Sequence, residues 1–321
     1  MAGPIADPLY DPSLDEHVDE MTRIAELVAG ARGDSPTEWT PKVIEAARQN
    51  FDAYANNPVE ITDRFENRDI EGPHGPIRLR VHVPDGAVRG VILDWHGGGF
   101  FLGSPEMDDV FNLSHAAATQ CVMIAATYRL GPEAPYPAGP DDGEATALWL
   151  LEHAVGEWGV PLVAVMGSSA GANIAAIVLQ RLRDRHDALA SIRAANLVYG
   201  VYDLTGTPSQ HRLGLPTFRD LYLPDIERRD RDDPDISPIY GDLQDMPPAL
   251  FTVGTADYLF DDSLFMAGRW HAAGAQAQVN VYPACPHGFN AYPAELARLA
   301  NLAMDEWVCA RLDAAIGRVE S

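Results

Sequence analysis

Lysine is nearly absent from this chain. Lys42 is the only one; every other basic residue is arginine, and the carboxylates outnumber them far enough to leave a net charge of −24. Such a surface repels nucleic acid and anionic membrane, so neither is an expected partner. Salt adaptation and a GC-rich genome both leave this composition, and the sequence does not separate them. Cysteine is scarce too. Cys121, Cys285 and Cys309 make an odd set, which fits reduced thiols better than a disulfide framework. No uninterrupted apolar stretch approaches the length of a membrane span. Residues 1–12 are polar and proline-bearing, without the basic start or apolar run of a signal peptide. The expected location is therefore cytoplasmic. The ten histidines form no ligand-spaced pair, so no metal is expected.

What is present is an alternation of apolar strands and helices. Apolar residues at helical spacing predict a helix over residues 13–29, capped by Ser13 and broken by Gly30 and Gly33. A second helix is expected from Pro36 or Pro41 to Ala53, ending before Asn56-Asn57-Pro58. Residues 59–71 and 77–83 read as an antiparallel pair of strands around Gly72-Pro73-His74-Gly75. Strands then follow at 90–95, 121–127, 162–167, 195–202, 249–253 and 278–282, with helices at 109–119, 141–152, 170–185 and 293–316. This order predicts a mainly parallel sheet covered on both faces. Residues 203–240, rich in Pro, Asp and Arg, interrupt it and read as an inserted lid segment.

The chemistry gathers at strand ends. Gly167-Ser168-Ser169-Ala170-Gly171 lies between an apolar strand and a small-residue helix. Ser169 there would occupy a tight, strained turn that exposes its hydroxyl, and the flanking glycines remove side chains that would collide with the backbone. A serine hydroxyl needs a base, and the base an orienting carboxylate. Strand 249–253 runs on to Asp257, and strand 278–282 to a loop bearing His287. Asp261 and Asp262 compete with Asp257 for the acid's place. His96-Gly97-Gly98-Gly99 follows the third strand, where an oxyanion loop belongs. Gly98, Gly99 and Ala170 are its expected N–H donors, and His96 is expected to hold the loop. Phe100, Phe101, Phe218, Leu221, Tyr222, Tyr258 and Phe289 are the candidate substrate-pocket side chains.

Together with Tyr128-Arg129-Leu130, Pro132-Glu133, Ser237-Pro238, Leu259 with Asp261, and His287-Gly288-Phe289, these motifs resemble the hormone-sensitive-lipase-like family of α/β-hydrolase esterases, from about residue 60 onward. The resemblance implies an eight-stranded sheet under a helical cap and hydrolysis of short- to medium-chain carboxylic esters without a cofactor. It divides the chain into N-terminal cap helices (1–55), a catalytic domain (56–202 and 241–321) and a cap insertion (203–240). Three positions depart from the family pattern: Ser168 stands where Asp or Thr is usual, Tyr258 where Pro is frequent, and Gly131 where Ala is expected. The expected partner is a small-molecule ester, with no nucleic acid and no membrane span; a homodimer is left open. The same triad serves amidases, peptidases and lactonases. A non-catalytic ligand-binding relative is the alternative outside enzymes, and the presence of His287 counts against it.

Overall fold

Alternating apolar residues on both faces of the central strands put the sheet between two helical layers. In β3 (Gly90–Trp95), Val91, Leu93 and Trp95 enter one core and Ile92 the other. In β5 (Val163–Ser168), Val165 and Met166 divide in the same way. A two-residue period with both faces apolar is what a strand covered on both sides requires. The computed structural model describes residues 9–32, 36, 38–54, 59–161, 163–213 and 219–319.

Eight strands form one sheet in the order β1-β2-β4-β3-β5-β6-β7-β8. The others are β1 (Glu66–Gly72), β2 (Gly75–His82), β4 (Cys121–Ala126), β6 (Ile192–Val198), β7 (Ala249–Gly254) and β8 (Ala277–Tyr282). The β1/β2 and β2/β4 pairs are antiparallel; the remaining pairs, from β4 to β8, are parallel. The helices are α1 (Val18–Arg32), α2 (Pro41–Tyr54), α3 (Val59–Thr62), α4 (Asp109–Thr119), α5 (Ala138–Trp158), α6 (Ala170–His186), α7 (Pro208–Leu213), α8 (Arg219–Tyr222), α9 (Phe260–Ala272) and α10 (Glu295–Val319). Leu150 of α5, Ile174 of α6 and Trp270 of α9 fill one core, while Ala116 of α4, Met304 of α10 and Met21 of α1 fill the other. Each such fully buried aliphatic side chain contributes about 1.5–3 kcal/mol.

Several local expectations change. Asp11, not Ser13, caps the N-terminal helical segment: its carboxylate accepts the Ser13 N–H at 2.9 Å, ahead of a 3₁₀ turn over Pro12–His17. Proline at the first position supplies a helical φ, so the residue before it becomes the cap. Gly30 does not end α1, which continues to Arg32, because one interior glycine costs only about 1 kcal/mol. The expected break at Gly33 and the turn at 56–58 lie outside the described residues. The first strand begins at Glu66 rather than at residue 59. Its partner β2 pairs Val81 with Glu66, and α3 occupies the preceding residues, where the Thr62 carbonyl accepts from Arg80. α5 starts three residues earlier than expected and runs to Trp158, stopped by left-handed Gly159. β6 ends at Val198, since Tyr199 takes a φ of 35° and turns the chain across the end of the sheet.

Among the described residues, α2 of the two N-terminal helices reaches the glycine-rich loop. Arg48 of α2 donates to the carbonyls of Phe101 (3.0 Å) and Gly131 (2.8 Å) and pairs with Glu133 at 2.7 Å. α1 instead lies against α10, where the Glu20 carboxylate accepts the Glu295 N–H at 2.9 Å. An acidic group at that helix start answers the positive end of its dipole.

Candidate active site

The β5–α6 turn is shaped by close backbone approach. A Cβ at Gly171 would stand 1.8 Å from the Trp95 carbonyl oxygen, and one at Gly167 would stand 2.5 Å from the Gly171 backbone. Only glycine fits at either place, so β5 and α6 can crowd the end of β3. Ser169 is thereby held at φ 55° and ψ −114°. That conformation costs a non-glycine residue about 1–3 kcal/mol. Its N–H donates to the Val198 carbonyl at 2.9 Å, and its carbonyl accepts from Asn173 and Val201. The hydroxyl stands at the N-terminus of α6, where unsatisfied N–H groups and the helix dipole favour negative charge.

The acid and base loops are joined to each other before they meet the serine. Gly254 ends β7 so close to the His287 loop that a Cβ there would lie 1.9 Å from the Cys285 carbonyl. Ala256 N–H donates to that same carbonyl, and Ala284 N–H to the Thr255 hydroxyl at 2.9 Å. Asp257 is fully buried, and its Oδ1 accepts the Leu259 N–H at 2.8 Å. His287 Nδ1 lies 3.0 and 2.9 Å from the two Asp257 oxygens, and Nε2 lies 3.0 Å from Ser169 Oγ. The imidazole is further held by the rings of Tyr199 and Tyr258, each with its centroid 4.7 Å away.

The two competing carboxylates are occupied elsewhere. Asp261 accepts the Ser209 N–H at 2.7 Å. Asp262 accepts the N–H groups of Tyr202 and Asp203, the Thr207 hydroxyl and the Gln210 amide. Burial pushes Asp262 up to about 7 against the opposing pull of those donors. Asp262 thus fastens the start of the 203–240 segment to α9.

Gly98 and Gly99 take φ values of 121° and 61°, which L side chains rarely adopt. The Gly98 carbonyl accepts from Phe101 and Leu102, closing a tight loop that faces Ser169. The N–H groups of Gly98 and Gly99 have no acceptor among the described residues. His96 lies beneath this loop. Its Nδ1 is 2.6 Å from the Gly97 carbonyl, and its ring stacks on Tyr128, whose hydroxyl donates to the His96 carbonyl at 2.9 Å. Burial holds His96 down to about 4, so it is neutral near pH 7.

A narrow cavity, with ≈ 10 Å³ of free volume, opens in front of Ser169. Gly99, Phe100, Val201, Tyr258 and Leu259 wall it, and among the described residues Arg219 is its one charged lining residue. Of the candidate pocket side chains, Phe100 and Tyr258 reach this wall. Tyr222 stands behind it, stacked on Phe100 at 4.1 Å, with Leu221 beside it on α8. Phe101 packs against Trp39 of the N-terminal segment. Phe289 is fully buried behind His287, against Tyr199 and Tyr282. Phe218 lies outside the described residues. Sequence reasoning missed Tyr199, Val201 and Arg219, none of which carries a motif, and quoted Leu259 only within a motif, not as a pocket residue; position within the inserted segment was the only available signal for Arg219.

The mycobacterial esterase LipI (Mycobacterium tuberculosis) is 31% identical over 78% of this chain and 82% of its own length. Carboxylesterase NlhH from the same species is 29% identical over 79% of this chain and 78% of its own. Among solved structures, an esterase from Pyrobaculum calidifontis superposes with a TM-score of 0.76 at 27% identity, covering 95% of this chain and 99% of the other. Residues 92–291 match the family described by the alpha/beta hydrolase fold. The chain belongs to that family, in its hormone-sensitive-lipase-like branch.

Proposed function

We propose that the protein is a carboxylic ester hydrolase that works through an acyl-enzyme on Ser169. The observation that carries this reading is the pair of contacts on one imidazole: Nε2 at 3.0 Å from Ser169 Oγ, and Nδ1 within 3.0 Å of both Asp257 oxygens. A neutral His287 carrying its proton on Nδ1, toward Asp257, presents the Nε2 lone pair to the serine. Ser169 Oγ attacks the ester carbonyl as its proton passes to Nε2, and Asp257 stabilises the imidazolium that forms. The tetrahedral oxyanion is received by the N–H groups of Gly98, Gly99 and Ala170, each worth about 3 kcal/mol of transition-state stabilisation. His287 then protonates the departing alkoxide, and a water deprotonated by the same Nε2 releases the acid. The esterase names of the relatives support an oxygen leaving group over a nitrogen one.

The cavity before Ser169 is narrow, with ≈ 10 Å³ of free volume, about the room for one water, so a substrate group has to widen it, and short acyl or alcohol groups demand the least widening. α2 and the 203–240 segment form the roof in this reading, supported by the Arg48 contacts and by the position of α8. A cytoplasmic location belongs to the same reading and is supported by three free thiols, two of them buried. No helix among the described residues is long and apolar enough to cross a membrane.

The test is Ser169→Ala together with active-site labelling. Hydrolysis of short p-nitrophenyl esters should fall by about 10⁴- to 10⁶-fold at unchanged fold. A fluorophosphonate should label Ser169. Modification of Ser168 instead, or full activity in the alanine variant, would overturn the mechanism.

A further inference from the structure

A cation lines the cavity before Ser169. Arg219, the first residue of α8, is only 5% exposed and lines the cavity together with the serine. Among the described residues no Asp or Glu oxygen lies within ion-pair distance of it. Its guanidinium donates to two neutral acceptors, the Leu204 carbonyl at 3.4 Å and the Gln210 side-chain oxygen. The nearby carboxylates are committed elsewhere. Both Asp262 oxygens accept from the Tyr202, Asp203, Thr207 and Gln210 donors. Asp203 accepts from Thr205, Gly206 and Tyr240. Guanidinium has five N–H donors in a fork matched to a carboxylate, and it stays charged in proteins. Asp262 and Asp203 act on it only through space, and burial outweighs them, so the guanidinium is under-compensated; an anion entering the cavity offsets that cost. The seat of α8 is itself fixed. A Cβ on Gly131 would stand 2.5 Å from the Leu221 carbonyl oxygen, and Tyr136 N–H donates to the Tyr222 carbonyl at 3.0 Å.

We infer that the protein is selective for esters carrying a second, anionic carboxylate, such as monoesters of short dicarboxylic acids, with Arg219 as the residue that recognises it. This rests on the esterase reading above and names its substrate class.

The experiment compares matched esters differing only in a terminal carboxylate or methyl. Monoethyl glutarate against ethyl pentanoate tests the acyl side, and 4-acetoxybutanoate against butyl acetate tests the alcohol side. Because the net charge of −24 opposes an approaching anion, kcat/KM is measured at 0.5 M salt. In the wild type, the anionic member of one pair should be favoured by about 10- to 100-fold, the range of a hydrogen-bonded charge pair. Arg219→Met should remove that ratio, and Arg219→Lys should restore part of it. Glutarate should inhibit ethyl pentanoate hydrolysis competitively in the wild type and weakly in the methionine variant. No preference for the anion in either wild-type pair would overturn the inference, as would a preference that survives in Arg219→Met. If the methionine variant does not fold, the wild-type ratios and the lysine variant decide by the same criteria. Failure of the esterase reading looks different: no ester of any charge is hydrolysed, and Ser169 resists the fluorophosphonate.

Discussion

Replacing Asp257 by Asn tests the orientation of the base with almost no change of shape. The amide has two possible orientations, and the surroundings select one. Its nitrogen cannot take the Oδ1 position, because that atom accepts the Leu259 N–H at 2.8 Å. The amide oxygen therefore stays there, and the NH₂ takes the Oδ2 position, 2.9 Å from His287 Nδ1. An amide donor at that distance competes with the 3.0 Å contact from Nδ1 to the amide oxygen; where the NH₂ contact prevails, Nδ1 becomes an acceptor and the imidazole proton moves to Nε2. Nε2–H then points at Ser169 Oγ, 3.0 Å away, and cannot take its proton. The variant also loses the charge that stabilises the imidazolium. The expected fall in kcat is about 10⁴-fold, the known size of this tautomer effect, equal to about 5.4 kcal/mol of barrier. The assay is kcat for p-nitrophenyl acetate in Asp257→Asn, with Asp261→Asn beside it and circular dichroism to establish equal folded fractions. Asp261 accepts one backbone N–H near Ser209, so its variant should keep kcat within a few-fold. A larger kcat loss in Asp261→Asn than in Asp257→Asn, at equal folding, would refute the reasoning.

His96, held down to about 4 by burial, should contribute no ionisation to the pH profile of kcat/KM above about pH 5; an ionisation there that disappears in His96→Asn would contradict its assignment as a neutral support. Asp94→Asn should gain stability relative to the wild type as pH rises. Burial raises Asp94 from 3.8 to about 6, so below pH 4 the carboxyl is neutral whether folded or unfolded. Between pH 4 and 6 the unfolded chain ionises and the folded one resists, so wild-type stability declines across that window by on the order of 3 kcal/mol. Urea titrations of both proteins at pH 4 and pH 7 check this, and an equal gap at the two pH values would contradict it.

The strands and the nucleophile turn were readable because local chemistry and tertiary packing demand the same residues there. Gly167 and Gly171 are forced by contacts to neighbouring backbone, and those contacts recur wherever the turn forms, so the spacing carries the geometry. The choice of Asp257 over Asp261 and Asp262 rested on the end of a strand. The structure distinguishes them by what each carboxylate already accepts, which depends on Ser209 and Tyr202, more than fifty residues earlier. Residues 59–62 read as strand because Val59 and Ile61 alternate with polar neighbours, a period that a single helical turn does not reveal. Tyr199 bears no motif, and its place against His287 follows from a backbone turn set by the elbow it crosses. For the N-terminal helices the apolar spacing was legible but the partner was not. Amphipathic faces specify that something is covered, whereas the contacts of Arg48 and Glu20 decide what.

The departures from the family pattern sit where specificity would be set. Tyr258 stands against His287 and walls the cavity. Gly131 acts at one remove: where the family pattern has Ala, a Cβ would stand 2.5 Å from the Leu221 carbonyl oxygen and 3.3 Å from the Tyr222 Cα. Its absence lets α8 settle directly on the loop after β4. The stacking of Tyr222 on Phe100 and the Tyr136–Tyr222 backbone bond belong to that seat. Arg219 opens the same turn and reaches the cavity with it. Arg48 approaches the loop from α2, binding the Gly131 carbonyl, while the Gly131 N–H donates to the Phe100 carbonyl at 2.8 Å. One short loop therefore couples α2, α8 and the glycine-rich loop beside the serine. The groups proposed to react stand at strand ends whose geometry the fold repeats. What enters the cavity depends on side chains hung from that loop, which can vary without moving Ser169, His287 or Asp257.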